Sequence, residues 1–237
     1  MDKVIKLNNQ TSGRDKLFRL FQYSSKIIWA SLENKKKDKD IINKLKTLES
    51  SLSTARKLFR FGRSADTLYS ALSSLHLDDP HLRFSITFSR INMALYLFSD
   101  HIIWLGRTGL LNIDKDKWSK LSYQLWLYYL TMNLYRDIYE ISSIVNRWNS
   151  GDLNTELQCG KKKPSNSLIY KLNMLCKLLK LRKDLALDSI KNACDVCLPL
   201  AQLGYLKISP RAIGVLGTIS SLAGILPLLD PSYKMSP

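Results

Sequence analysis

Arg56, Arg60 and Arg63 recur at steps of four and three, so on a helix they share one stripe with Thr67, Ser70 and Ser74. The opposite face of this stretch, residues 51–75, collects Leu52, Ala55, Leu58, Phe59, Gly62, Ala65, Tyr69 and Leu72. A row of guanidinium groups suits phosphate oxygens, and an apolar face carrying aromatics suits an acyl boundary. A helix of this kind lies in the plane of a membrane with its arginines among anionic head groups. The same periodicity arises when an amphipathic helix packs on a protein core. Both readings stand on these residues alone.

Catalytic chemistry finds no comparable set. The histidines are His76, His81 and His101, and no nucleophile elbow, zinc-protease, phosphate-loop or dinucleotide fingerprint occurs. Cys194 and Cys197 form a CxxC, but it lacks the second pair or the histidines of a zinc site. Two helical thiols account for it better. Asp137 and Glu140 beside Arg136 fit ordinary helix-surface charges. The expectation is a protein with no catalytic, cofactor or metal site.

Composition narrows the partner. The chain has 237 residues, with 36 Lys+Arg against 20 Asp+Glu, a net charge of +16. A polyanion is the natural partner, either nucleic acid or an anionic membrane surface. No nucleic-acid-binding motif lies beneath the charge, which leaves the membrane. Glycine (10) and proline (7) are sparse enough for a mostly helical chain. Four scattered cysteines, Cys159, Cys176, Cys194 and Cys197, do not make a disulfide framework and fit a reducing compartment. The first thirty residues hold no secretory signal, and the final SYKMSP is not a peroxisomal Ser-Lys-Leu address. Delivery to a membrane therefore relies on internal segments.

The elements that carry these residues are helices. Residues 14–32 form a basic first helix, capped by Thr11 or Ser12. A charged loop over 33–40 leads to one long helix, 41–75, and Pro80 separates it from the next helix. Residues 84–111 are strongly apolar, and the part between Arg90 and Arg107 is near the length of a bilayer core, yet Asn92, Asp100 and His101 interrupt it. A charge in lipid costs about 2.5–3.5 kcal/mol. This segment crosses the membrane beside partner helices, sits at the interface, or is a buried soluble helix. Residues 115–148 are helical, capped by Asp114, with an uncharged, aromatic-rich centre over 121–135. A loop over 149–166 precedes a basic helix over 167–200. Residues 212–229 then run 18 positions without a charge, between Arg211 and Asp230. That length meets the threshold for a transmembrane helix. Gly217/Ser221 and Ser220/Gly224 are small-xxx-small pairs of the kind that bring helices together in lipid.

Several of these segments together resemble the peroxisomal membrane protein 11 family of peroxisome-proliferation factors. Residues 13–27, GRDKLFRLFQYSSKI, are similar to its opening helix, and 53–63, STARKLFRFGR, to its amphipathic helix. Residues 90–109 match its first membrane-associated segment, including Asp100 and His101; 134–141 and 214–225 complete the match. The resemblance implies a multi-pass peroxisomal membrane protein with both termini cytosolic, spans near 86–107 and 211–229, and a lumenal region between them. It further implies self-association, elongation of peroxisomes before division, and recruitment of a tail-anchored fission adaptor and a dynamin-related GTPase.

The sequence reading is thus an all-α integral membrane protein with N-terminal amphipathic helices (1–83), a first membrane-associated helix (84–110), a helical intervening region (111–210), a C-terminal transmembrane helix (211–229) and a short tail (230–237). Membrane binding falls to Leu52, Leu58, Phe59, Tyr69 and Leu72 as a wedge, with Arg56, Arg60 and Arg63 on lipid phosphates. Oligomerisation falls to Gly214, Gly217, Ser220, Ser221 and Gly224. Two alternatives stay open: a metabolite pore lined by the Asp100/His101 segment, and a soluble basic adaptor whose apolar tail is core.

Overall fold

The computed structural model describes residues 2–34, 39–149 and 182–235. Among them lie eight α-helices and no strand. They are α1 (Asp2–Asn9), α2 (Thr11–Asn34), α3 (Lys39–Phe59), α4 (Arg63–Ser74), α5 (Pro80–Arg107), α6 (Lys115–Asn149), α7 (Lys183–Gln202) and α8 (Pro210–Leu229), followed by a 3-10 turn, Pro231–Tyr233. The all-α class expected from the sequence is what is seen. Residues 150–181, which hold Cys159, Cys176, nearly all of the expected 149–166 loop and the start of the expected 167–200 helix, lie outside the described residues.

Local chemistry explains most boundaries. Asp79 caps α5 by accepting from the backbone N–H groups of His81 (2.8 Å) and Leu82 (3.3 Å), with Pro80 at the first helical position. Asp114 does the same for α6, accepting from Asp116 and Lys117. Ser209 and Pro210 open α8 in the same manner. α5 starts at Pro80 and ends at Arg107 where the apolar pattern suggested 84–111, and two further differences stand out. Thr11 and Ser12 lie within α2 rather than before it, because a short helix α1 precedes them and Gly13 lets the two meet. A Cβ on Gly13 would stand 1.9 Å from the Leu7 carbonyl oxygen.

The second difference bears on function. The expected single helix over 41–75 is broken into α3 and α4 at Gly62, whose φ of 81° is the left-handed conformation that ends helices. The turn frees the Arg60 carbonyl, which accepts from the Arg63 backbone N–H (3.1 Å) and from His101 Nε2 (3.0 Å). Sequence periodicity hides this break, since Gly62 falls on the apolar face of an unbroken helix.

Helices pack as antiparallel neighbours. Ser89 meets Asn133, and Tyr96 stacks on Trp126, along α5 and α6. Lys26 reaches Glu49 (2.9 Å) and Asp15 reaches Arg56 (3.0 Å) along α2 and α3. α4 folds back along α5, with Ser74 on Thr87 and Arg90 on the Ser70 carbonyl. α2 also runs the length of α8, from Ile27 at Gly214 to Lys16 at Gly224.

Candidate functional site

α5, α6 and α8 carry exposed apolar stripes and bury many polar side chains. On α5 the exposed large apolar residues are Phe84, Phe88, Ile91, Leu95 and Phe98, a stripe at helical spacing, while Ser85, Ser89, Asn92, Ser99 and Asp100 are buried together with Ile86, Ala94, Leu97 and Ile103. On α8, Val215, Ile219, Leu222 and Leu226 face outward, and Gly214, Gly217, Ser220 and Ser221 are buried. α6 repeats the pattern, with Tyr128, Tyr135 and Ile138 outside and Ser122, Asn133 and Asp137 inside. Among the described residues, buried polar side chains outnumber buried apolar ones. Water rewards the opposite arrangement. Lipid rewards this one, because an inward polar group finds partners there and an outward one finds none.

The 51–75 stretch obeys the same rule, and that corrects where its arginines go. Arg56 gives Nε–H to Asp15 (3.0 Å) and Nη1–H to Gln22 (2.9 Å). Arg60, 7 % exposed, pairs with Asp100 (2.8 Å), approaches Asp15 (3.7 Å) and donates to the Tyr96 hydroxyl (2.9 Å). Arg63 lines the same interior. Arg56 and Arg60 are thus paired within the protein, and Arg63 is half-buried beside them. The reason is charge balance: Asp15 and Asp100 are buried carboxylates, and the arginine stripe lies within reach of both.

Of the apolar residues expected to insert, the structure exposes Leu58, Tyr69 (78 %) and Leu72 and joins to them Phe61, Leu68 and Leu75. Leu52 and Phe59 are partly covered, Phe59 by an edge contact with Phe18 at 5.0 Å. The helical projection separated the two faces correctly but could not say which one meets protein.

Asp100, awkward in an apolar segment, is 1 % exposed and held by Lys57 and Arg60. His101 rests on the Arg60 carbonyl and against the Phe61 ring (4.6 Å). Further pairs continue this interior: Arg19 with Asp195, and Arg136 with Asp137 (2.7 Å) and Asp188. Asn192, fully buried, donates to Asp137 (2.9 Å). Sequence reasoning missed Asp15, Arg19, Lys57 and Asp195. Its one available signal was the Ser85, Ser89, Asn92, Ser99 series, small polar residues recurring on one side of an otherwise apolar helix.

The small-residue side of α8 is also occupied within the chain. A Cβ on Gly214 would lie 2.7 Å from Ile27 Cγ1, and one on Gly217 2.4 Å from the Tyr23 ring. Gly224 faces the Lys16 side chain. Ser220 and Ser221 are fully buried on the same side. The close approach that small-xxx-small pairs permit is thus used by α2.

Among the described residues α8 is the one helix long and apolar enough to cross a membrane by length and composition, and no group of three or more His, Cys, Asp or Glu is placed to hold a metal ion. The family model for Peroxisomal biogenesis factor 11 (PEX11) matches residues 1–229. The chain belongs to this family. It is 34 % identical to Peroxisomal membrane protein 11B of Homo sapiens over 259 residues, covering all of both chains. It is 35 % identical to Peroxisomal membrane protein 11A of Homo sapiens over 244 residues, 99 % of each. Identity to Peroxisomal biogenesis factor 11 of Schizosaccharomyces pombe is 28 % over 238 residues, 97 % of this chain and 95 % of that one. No solved structure matches. The peroxisomal biogenesis factor 11 family is defined by a role in peroxisome biogenesis and not by a reaction, and the 11A and 11B relatives are peroxisomal membrane proteins.

Proposed function

We propose that this chain remodels the peroxisomal membrane from within it, promoting elongation and then fission of the organelle. The observation that supports this reading is the inverted polarity, above all on α3–α4, where Leu58, Phe61, Leu68, Tyr69, Leu72 and Leu75 are exposed while Arg56 and Arg60 are paired inside. In this reading residues 86–107 and 211–229 are the spans, both termini are cytosolic, and α4 is the wedge. Each apolar side chain that leaves water for lipid stabilises insertion by about 1.5–3 kcal/mol, against about 1 kcal/mol for a basic residue near an anionic surface. The apolar face therefore sets binding, and charge only tunes it. Shallow insertion into one leaflet expands it and favours curvature. Self-association uses the outward stripe of α8, Val215, Ile219, Leu222 and Leu226, since its small-residue side is covered by α2. A fission adaptor and a dynamin-related GTPase join the assembly afterwards.

The test is the full-length double variant Tyr69→Asp, Leu72→Asp, expressed in cells that lack the native protein. Both side chains are exposed, so the fold is expected to survive and the protein to reach peroxisomes. Peroxisome elongation is expected to be lost. Elongation at the unsubstituted level would overturn the wedge.

A further inference from the structure

We propose that the interior cavity between α2, α3, α5, α6 and α7 binds a small phosphate-bearing anion with more than one negative charge. The cavity has a volume of about 310 Å³, and eight basic side chains line it against three acidic ones. The acids are Asp15, Asp100 and Asp195, and each is already held by Arg56, Arg60, Lys57 or Arg19. Of the other four bases, Lys191 pairs with Asp188 and Arg107 is exposed, which leaves Lys16 and Arg63, both half-buried, with no ion pair among the described residues.

Lys16 is the clearest instance. It makes no ion pair among the described residues, and it lies beside Gly224, where a Cβ would come within 3.3 Å of its Nζ. A cation removed from water either gains opposite charge or gives up its proton more readily. Burial and the neighbouring Arg19 lower the Lys16 pKa to about 7, and an anion in the cavity would hold its proton on. Guanidinium groups add donors to the attraction. Each carries five N–H donors in a planar fork that matches phosphate oxygens, and Arg56 commits Nε to Asp15 and Nη1 to Gln22, with donors to spare. The volume stands at the small end of ligand cavities. It suits a group the size of a diphosphate and excludes an extended polyanion such as nucleic acid. A lipid head group and a soluble phosphate compound share this chemistry. The inference rests on the cavity and not on the wedge proposed for α4.

The experiment uses full-length protein in neutral phosphatidylcholine nanodiscs, titrated with inorganic pyrophosphate by calorimetry. A second arm titrates short-chain phosphatidylinositol bisphosphate. Saturable one-to-one binding in either arm is expected, and the arm in which it occurs names the source. Lys16→Gln is expected to weaken binding about tenfold or more, as loss of one charge-assisted contact does. Lys16→Arg and the exposed, cavity-remote Lys44→Gln are expected to bind like the unsubstituted protein. Should Lys16→Gln fail to fold, Arg63→Gln, which also lines the cavity, carries the same test. Absence of binding in both arms, or binding by a folded cavity variant at the unsubstituted affinity, would overturn the proposal.

Discussion

At the scale of single residues, Asp100 shows how an apolar segment carries a charge. It sits on the inward side of α5 between Lys57 and Arg60, 1 % exposed. Removing one partner of a buried pair strands the other, at a cost of about 3–5 kcal/mol. Asp100→Asn is therefore expected to lower stability by that amount in detergent denaturation, with Asp100→Ala no better. A loss under about 1 kcal/mol would show that the pair is not buried. At the head of α5, Asp79 accepts from the Tyr139 hydroxyl (2.8 Å) and two backbone N–H groups, which hold its carboxyl below the usual aspartate value of 3.8. The sign follows from linkage: with the folded pKa lowered, the carboxylate stabilises the fold fully above the unfolded value and loses that effect as pH falls through the folded one. The thermal midpoint is expected to drop with acid over this window, and less steeply in Asp79→Asn. Identical acid profiles for the two proteins would contradict the assignment.

Elements were unequally legible. α8 announced itself by 18 uncharged residues, Asp114 marked the start of α6 and Pro80 the break before α5, because caps and prolines act locally; the cap at Asp79 was missed. The α3–α4 break was not legible, since Gly62 satisfies the apolar period of an unbroken helix while its backbone turns left-handed. α1 is hidden for a different reason: its eight residues span little more than two turns, too few for a pattern to stand out. Partner choice was the largest gap. Small residues on α8 say that something approaches closely, but not whether it is a second copy or α2. Gly214→Ala and Gly217→Ala separate the two. With Ile27 and Tyr23 in the way, each is expected to destabilise the monomer by about 1–3 kcal/mol, the usual cost of overpacking. Variants that keep monomer stability while losing self-association would instead assign this side of α8 to a second copy.

Among the described residues one tendency recurs on α5, α6 and α8: apolar side chains line the outer stripes, while buried polar ones such as Ser89, Asp100 and Asp137 find partners, beside the buried Leu97 and Leu130. The sequence displayed both faces of the 51–75 stretch, yet a helical projection is indifferent to which face meets solvent. The ion pairs between α2, α3, α5 and α7 show which faces meet protein. Membership of a peroxisomal membrane family agrees with the outer apolar stripes. The most direct measurement places nitroxide spin labels on a cysteine-free full-length protein in liposomes, one at a time, at Phe88, Leu95, Tyr69 and Leu222, and at Ser89, Asn92 and Ser221. Labels at the first four positions are expected to collide with oxygen dissolved in lipid, and labels at the last three with neither oxygen nor a water-soluble nickel complex. Frequent collisions with the nickel complex at Phe88, Leu95 and Leu222 would put these faces in water and contradict the membrane-embedded bundle.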